Sequence, residues 1–212
     1  MNSTLEFVLK KFKISYKKNY ALPIIIRNFG RDQLAEMFCD LGFSVGVEIG
    51  VERGLYSEVL CKANPKLKLF AIDPYTTYGD YRVHGMQADL MCSEAKIRLS
   101  PYKCHLMLAT SMEVVNDFKD GSLDFVYIDG NHAFKYVTED IYEWSKKVRK
   151  GGIISGHDWV IMRNNSDEVH VKYVLQGYTE AYRIKPWFVL GAKQADDGEI
   201  RDRWRSWMWV KT

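Results

Sequence analysis

Short apolar segments alternate with longer amphipathic segments along most of the chain. Strands are predicted over residues 45–50, 67–73, 104–108, 123–129 and 152–156, because each is a short, mostly apolar run. Helices are predicted between them, over residues 54–63, 86–99, 111–118 and 133–149. Strands that alternate with helices are typical of an α/β domain built on a parallel sheet.

The flanking segments extend this pattern. Residues 31–41 form a predicted helix that ends at Gly42, and residues 1–30 form a basic amphipathic extension in which lysines interleave with Phe7, Val8 and Phe12. After residue 167 a helix precedes two strand-like runs, 187–190 and 206–210, which are predicted to close the sheet as a hairpin. We therefore predict one domain over residues 1–212, with a core at 31–160 and a closing unit at 161–212.

Composition narrows the class of protein. The chain has 212 residues, 47% of them hydrophobic, and 30 basic residues against 27 acidic ones, which excludes disorder and makes nucleic acid an unlikely partner. Residues 1–20 lack the apolar core of a secretory signal, and no apolar run approaches the roughly 18 residues of a membrane span. We expect a soluble, cytoplasmic protein with no membrane partner. The sequence does not indicate an oligomeric state.

The turn after the first core strand is the first candidate for ligand binding, because ligands of open parallel sheets bind at the carboxyl ends of strands. The turn runs from Gly50 to Gly54 with the spacing GxxxG, and Glu52 lies inside it. A dinucleotide-binding turn needs GxGxxG to seat a pyrophosphate, and a carboxylate at this place disfavours phosphate. The turn therefore favours a ligand without phosphate.

Two acidic residues bracket this turn. Glu48 lies inside the apolar strand, where a carboxylate needs backbone amides or a cationic ligand. Asp73 ends the next strand, near the offset of about 20 residues at which an acid holds ribose hydroxyls. Structural roles remain open for both, Glu48 as an amide-bonded acid and Asp73 as a turn residue. One ligand, an adenosine that bears a positive group, would satisfy both.

Four segments together carry a family resemblance: Val-Glu-Ile-Gly-Val-Glu-Arg-Gly at 47–54, Ala-Ile-Asp-Pro at 71–74, Tyr-Ile-Asp-Gly-Asn-His at 127–132, and the run from Lys150 to Trp159. In this order they resemble class I S-adenosylmethionine-dependent methyltransferases. The most similar branch is the group of small-molecule and sugar O-methyltransferases whose fourth strand ends in Asp-Gly-x-His.

The resemblance implies a fold and a cofactor. The fold is a Rossmann-like, mostly parallel seven-stranded sheet with an antiparallel last strand and helices on both faces. The cofactor is S-adenosylmethionine, and the implied contacts are Glu48, Gly50, Gly54, Asp73, Ser111, Met112 and Asp129. For Ser111, capping of the following helix is an equal alternative.

Methyl transfer from a sulfonium needs a positioned, deprotonated acceptor, so acids and bases are expected near the reacting atoms. Asp129 and His132 follow the fourth core strand, and His157 and Asp158 follow the fifth, so adjacent parallel strands would bring them together. Asp129, His132 and Asp158 are the candidate catalytic residues. Asp129, His157 and Asp158 are candidate ligands of Mg²⁺ or another divalent cation.

Alternatives to the metal site stay open. Without a cation, His132 could act as a base near neutral pH, or it could anchor the helix that starts at Ala133. His157 could hold its own loop by a hydrogen bond.

The aromatic content of 14% divides into two groups. Tyr75, Tyr78 and Tyr81 follow Asp73, and together with Trp159 they are predicted to line a pocket for a small-molecule or sugar acceptor. The tryptophan-rich residues 187–209 are predicted to pack against the sheet.

The sequence thus predicts an S-adenosylmethionine-dependent methyltransferase that acts on a hydroxyl group. Two alternatives stay open. One is a catalytically silent domain that only binds the cofactor. The other is an NAD-dependent oxidoreductase like the short-chain dehydrogenases, suggested by Tyr142 and Lys146 in YxxxK spacing but disfavoured by the GxxxG turn.

Overall fold

The structure is a computed structural model, and it describes residues 3–15, 21–76, 85–163 and 168–212. The strands are β1 (Ile24–Ile26), β2 (Val45–Ile49), β3 (Lys68–Ile72), β4 (Cys104–Met107), β5 (Leu123–Ile128), β6 (Val148–Gly156), β7 (Met162–Arg163), β8 (Glu168–Val169), β9 (Phe188–Leu190) and β10 (Ser206–Val210). The helices are α1 (Ser3–Lys11), α2 (Arg31–Asp40), α3 (Leu55–Ala63), α4 (Gly85–Leu99), α5 (Ser111–Val114), α6 (Phe134–Lys147) and α7 (Val171–Ala181). Within the described ranges, no helix is long and apolar enough to cross a membrane.

Eight of these strands form one sheet in the order β1-β9-β10-β6-β5-β2-β3-β4, while β7 and β8 pair separately. The strands from β2 through β3 to β4 advance in one direction, and β5 and β6 advance in the other. The strand order therefore reverses between β2 and β5, where ligands of such sheets bind. β10 runs antiparallel to both β6 and β9, as predicted for the last strand.

The sheet has eight strands, and the prediction of seven is wrong. The additional strand is β1, which pairs in parallel with β9 at the sheet edge, Ile24 opposite Phe188 and Ile26 opposite Leu190. Three isoleucines are too few to show the alternation of a strand, and they lie within the predicted N-terminal extension. They become a strand through pairing with a segment distant in the chain.

The N-terminal helix α1 packs on this part of the core, as its amphipathic pattern predicts. Val8 and Leu9 are buried in one hydrophobic cluster with Phe188. The ring of Phe12 lies 4.9 Å from the ring of Phe29 and 5.2 Å from that of Phe188, both edge-on. The extension thus covers β9, the strand that β1 pairs with.

Three of the four tryptophans between residues 187 and 209 pack against the sheet as predicted, whereas Trp204 is only half-buried and has Arg203 over its ring at 4.5 Å. Trp187, Trp207 and Trp209 are buried in the central hydrophobic cluster. The indole N–H of Trp207 also donates a hydrogen bond of 2.8 Å to the carbonyl oxygen of His157. This bond ties β10 to the end of β6, where candidate site residues lie.

Candidate active site

The ends of β2 and β5 meet at the point where the strand order reverses. Gly50 follows β2 with φ +85°, and a Cβ atom there would lie 2.0 Å from the carbonyl oxygen of Asp129, which follows β5. The backbone N–H of Asp129 donates to the carbonyl oxygen of Ile49 at 2.7 Å. Only glycine fits at position 50, because both the left-handed backbone and the close approach exclude a side chain.

A cleft opens above this junction, and five of the predicted cofactor residues border it: Glu48, Gly50, Asp73, Ser111 and Asp129. Two others lie elsewhere. Gly54 precedes α3 with φ +74°, and a Cβ atom there would lie 3.3 Å from the backbone of Ala95 in α4, so this glycine serves helix packing. Met112 packs against the central hydrophobic cluster.

Glu48 is a buried acid held by a hydroxyl. Its side chain is 1% exposed, and Ser57 in the first turn of α3 donates a hydrogen bond to its carboxyl group. Burial raises the pKa of Glu48 well above its ordinary value, and the Ser57 hydroxyl only partly opposes this. Ser57 was missed by the sequence reasoning; its signal is a hydroxyl in the helix that directly follows the glycine turn.

Asp73 braces the glycine turn with its carboxylate. It accepts hydrogen bonds from the backbone N–H groups of Val51 (2.9 Å), Glu52 (3.0 Å) and Tyr75 (2.9 Å). A carboxylate has about four acceptor directions, so about one stays available to a ligand. The geometry therefore gives Asp73 the structural role that the sequence left open and keeps room for a ribose contact.

The predicted acceptor residues differ in their positions. The Tyr75 hydroxyl donates to the carbonyl oxygen of Glu52 at 2.7 Å, so Tyr75 braces the same turn. Trp159 is 3% exposed and packs edge-on against Trp187, with ring centroids 5.1 Å apart. Trp159 thus lies in the central hydrophobic cluster, together with Val171 and Val174 of α7, and does not border the cleft where it was predicted. Tyr78 and Tyr81 lie outside the described residues.

Ser111 faces an unexpected partner, Asp140 of α6. Its hydroxyl donates to Asp140, while Thr110, the residue before α5, caps that helix with Glu113. Ser111 is therefore not the helix cap. Asp140 is 3% exposed, and burial raises its pKa to about 7 although the Ser111 hydroxyl opposes the shift. Asp140 was missed because its contact with Ser111 depends on how α6 packs.

Replacing Asp140 with asparagine is expected to flatten the dependence of stability on pH. The native pKa of about 7 lies above the unfolded value of about 4, so the contribution of Asp140 to stability is complete below pH 4 and is lost as pH rises through 7. Asparagine still accepts the Ser111 hydrogen bond and does not ionise. In urea unfolding, the variant should gain about 1–3 kcal/mol over the wild type at pH 8 relative to pH 5. An equal difference at both pH values would contradict this role.

Asp129, His132 and Asp158 come together as a group that we call the carboxylate–histidine cluster. His132 Nε2 lies 2.8 Å from Asp158 Oδ2 and 3.5 Å from Asp129 Oδ1. One potential ligand atom from each of the three residues lies within 4.8 Å of the others. Asp158 has φ +60°, an uncommon conformation for a residue other than glycine, and such strain concentrates at functional sites.

The charged forms of His132 and of the neighbouring carboxylates stabilise one another. Burial disfavours the imidazolium of His132, but Asp129 and Asp158 outweigh this effect and raise its pKa to about 10. Burial likewise favours protonated Asp158, but His132 and His157 hold the pKa of that carboxyl well below its usual range. The two carboxylates therefore stabilise the imidazolium form of His132.

His157 lies behind the cluster and is anchored from the C-terminal segment. Its Nε2 lies 3.2 Å from Asp202 Oδ1, and its Nδ1 lies 3.6 Å from Asp158 Oδ2 and 3.8 Å from Asp129 Oδ2. Burial opposes protonation of His157, but Asp158 and Asp202 raise its pKa to about 10. The geometry favours the alternative in which His157 holds its own loop. His132 is then the histidine that joins Asp129 and Asp158 as a candidate metal ligand. Asp202, distant in sequence, carried no signal in any motif.

Comparison with known proteins places these features in a family. Residues 47–159, more than half of the chain, match the model of a family described as a methyltransferase domain. The uncharacterized protein y4gI of Sinorhizobium fredii (strain NBRC 101917 / NGR234) is 25% identical over 150 residues. That match covers 66% of this chain but only 15% of the relative, so the chain spans a small part of that protein's length.

Two solved structures share the fold. One is the O-methyltransferase TomG from Streptomyces achromogenes, in complex with SAM, with a TM-score of 0.58 and 13% identity over 100% of this chain and 91% of that one. The other is the O-methyltransferase from Bacillus cereus in complex with SAH, with a TM-score of 0.58 and 15% identity over 100% and 92%. At these identities the likeness establishes the Rossmann-like methyltransferase fold.

Proposed function

The chain belongs to the methyltransferase domain family, and from this premise we propose that it transfers the methyl group of S-adenosylmethionine to a hydroxyl of a small molecule or sugar. The observation that carries the proposal is the position of the carboxylate–histidine cluster. It lies directly beside the glycine turn, where the strand order reverses. A cofactor on the turn and an acceptor at the cluster would therefore be neighbours.

The residues of the cleft fit this cofactor. Asp73 lies at the β3 side with an acceptor direction left for a ribose hydroxyl, and Asp129 offers a carboxylate near a cationic sulfonium. Asn131 borders the cleft, is 7% exposed, and its Nδ2 has no hydrogen-bond partner among the described residues. A buried donor without a partner is costly, so a ligand that supplies an acceptor would stabilise it. When bound, S-adenosylmethionine supplies an electrophilic methyl group.

The cluster would handle the acceptor's proton. In the transfer, a carbon–sulfur bond breaks, an oxygen–carbon bond forms, and the hydroxyl proton must leave the oxygen. Neutral His132 would accept this proton, and Asp129 and Asp158, which lie 3.5 and 2.8 Å from its Nε2, would stabilise the imidazolium that forms. The same contacts fix the direction of the acceptor oxygen, which is the larger requirement for a displacement of this kind.

A divalent cation also fits the cluster. Two carboxylates and one imidazole, with ligand atoms within 4.8 Å, are a donor set for a transition-metal ion such as Mn²⁺, since Mg²⁺ prefers oxygen ligands alone. When bound, the cation would lower the pKa of the acceptor hydroxyl. The ligands would be Asp129, His132 and Asp158, with His157 held behind them by Asp202.

The dehydrogenase alternative has no support in the geometry. Tyr142 is 44% exposed on α6, and Lys146 Nζ lies over its ring at 4.0 Å while it bonds Glu143. Neither Tyr142 nor Lys146 borders the cleft. The pair is a surface contact one helical turn apart.

The proposal is tested in two steps, binding and then turnover. Isothermal titration should show binding of S-adenosylhomocysteine with one site per chain. Formation of S-adenosylhomocysteine from S-adenosylmethionine is then followed with phenols, polyols and sugars, each paired with the analogue that carries an amine in place of the hydroxyl. The proposal expects product only with the hydroxyl member of a pair, and repeats with EDTA and with added Mn²⁺ test the cation. Binding without product would favour the silent domain, and failure to bind would overturn both.

A further inference from the structure

Arg31 is a cation at the border of the cleft, and no acidic side chain among the described residues pairs with it. It is the first residue of α2 and lines the same cleft as Gly50 and Asp129. Among the residues that the structure describes, its guanidinium makes no hydrogen bond and no ion pair; it lies over the ring of Tyr56, 5.4 Å from the centroid. The second guanidinium at the cleft, that of Arg53, is bound by Glu94 at 2.8 Å.

The position of Arg31 in the helix is unfavourable by itself. A helix N-terminus carries a partial positive charge, so a basic residue in the first turn slightly destabilises the helix. Yet the backbone is fixed there, because the Tyr56 hydroxyl donates to the Arg31 carbonyl oxygen at 2.9 Å. Apart from its contact with the Tyr56 ring, the guanidinium of Arg31 therefore has no local partner among the described residues that explains its position at the cleft.

Arg31 and Asp73 both border the cleft. Asp73 follows β3, on one side of the point where the strand order reverses. The two carboxylates whose negative charge acts on Arg31 lie on the other side of this point: Asp129 follows β5, and Asp202 precedes β10. A ligand with its ribose at Asp73 would therefore extend across the Gly50–Asp129 junction toward Arg31.

We propose that Arg31 binds the carboxylate of the amino-acid end of S-adenosylmethionine. The inference rests on the proposed function, since it takes that cofactor as given. An amino acid carries a positive and a negative group, and Asp129 and Arg31, which both border the cleft, offer one partner of each sign. A guanidinium suits a carboxylate because it donates two parallel hydrogen bonds.

The experiment compares two ligands that differ only in the carboxylate. Wild type and Arg31→Ala are titrated calorimetrically with S-adenosylhomocysteine and with its decarboxylated analogue, S-adenosyl-3-thiopropylamine. Wild type should prefer S-adenosylhomocysteine, and Arg31→Ala should lose about 10- to 100-fold in affinity for it while binding the analogue within about twofold of wild type. Arg31→Lys should keep part of the preference for S-adenosylhomocysteine, since lysine retains the positive charge but cannot donate two parallel hydrogen bonds.

Arg53→Ala is the matched control, because it removes the other guanidinium at the cleft, which Glu94 already holds. It should change the affinity for both ligands by the same factor. Equal losses for both ligands in Arg31→Ala, or a wild type that binds both equally, would overturn the assignment and leave the proposed function standing. A wild type that binds neither ligand would overturn both. The wild-type comparison decides the question even where a variant does not fold.

Discussion

Replacing Asp158 with asparagine is expected to lower the rate of methyl transfer by about 10²–10⁴-fold, while the affinity for S-adenosylhomocysteine stays within about threefold. The reason is the contact of Asp158 with His132 at 2.8 Å, which holds the cluster's charge and geometry. Asparagine keeps the shape of the side chain and tolerates the left-handed backbone at φ +60°. Rates are measured as formation of S-adenosylhomocysteine, and affinity by calorimetry.

The control for Asp158→Asn is the same change from aspartate to asparagine at a surface position. Asp117, exposed in the short turn after α5, can be changed to asparagine without touching the cleft. Asp117→Asn should match the wild type in both measurements. Turnover of Asp158→Asn within about threefold of wild type would mean that the cluster does not take part in the reaction.

Replacing Gly50 with alanine is expected to destabilise the protein by about 2–5 kcal/mol and to abolish cofactor binding. Two effects add. Alanine is strained at φ +85°, and its Cβ would lie 2.0 Å from the Asp129 carbonyl oxygen, so the ends of β2 and β5 must separate. That junction is the floor of the cleft. Urea unfolding gives the change in the free energy of unfolding, and titration with S-adenosylhomocysteine gives the loss of binding.

The variant Gly42→Ala separates the effect of backbone strain from the effect of a steric contact. Gly42 also has a left-handed backbone, φ +69°, but a Cβ atom there would meet no atom of the described residues within 4 Å beyond its two neighbours in the chain. Gly42→Ala should therefore cost only the backbone term, about 1–2 kcal/mol, and should bind the cofactor normally. If Gly50→Ala is no less stable than Gly42→Ala, the close approach of the two strand ends is not a constraint.

The sequence predicts those parts of the fold that local patterns determine. Strands β2 to β6 and the helices between them appear where apolar periodicity places them. Strand β1 does not, because three isoleucines become a strand only through pairing with β9. The same limit applies to Trp159, whose burial against Trp187 depends on packing between distant segments.

The residues of the candidate site also differ in whether the sequence predicts them. Residues that follow strand ends, such as Gly50, Asp129 and Asp158, are predictable because topology alone brings them to one edge of the sheet. Their partners are not. Asp140 reaches Ser111 from α6, and Asp202 reaches His157 from the segment before β10, so both contacts exist only once the helices and closing strands have packed.

Isotope transfer tests the central claim most directly. The protein is incubated with S-adenosylmethionine labelled with ¹³C in its methyl group and with the hydroxyl compound that gives most product in the paired panel. NMR of the product should show the label on the acceptor oxygen, with one S-adenosylhomocysteine formed for each methyl group transferred. Label on nitrogen, carbon or sulfur, or consumption of S-adenosylmethionine without transfer of the label, would contradict the proposal that the chain methylates a hydroxyl group.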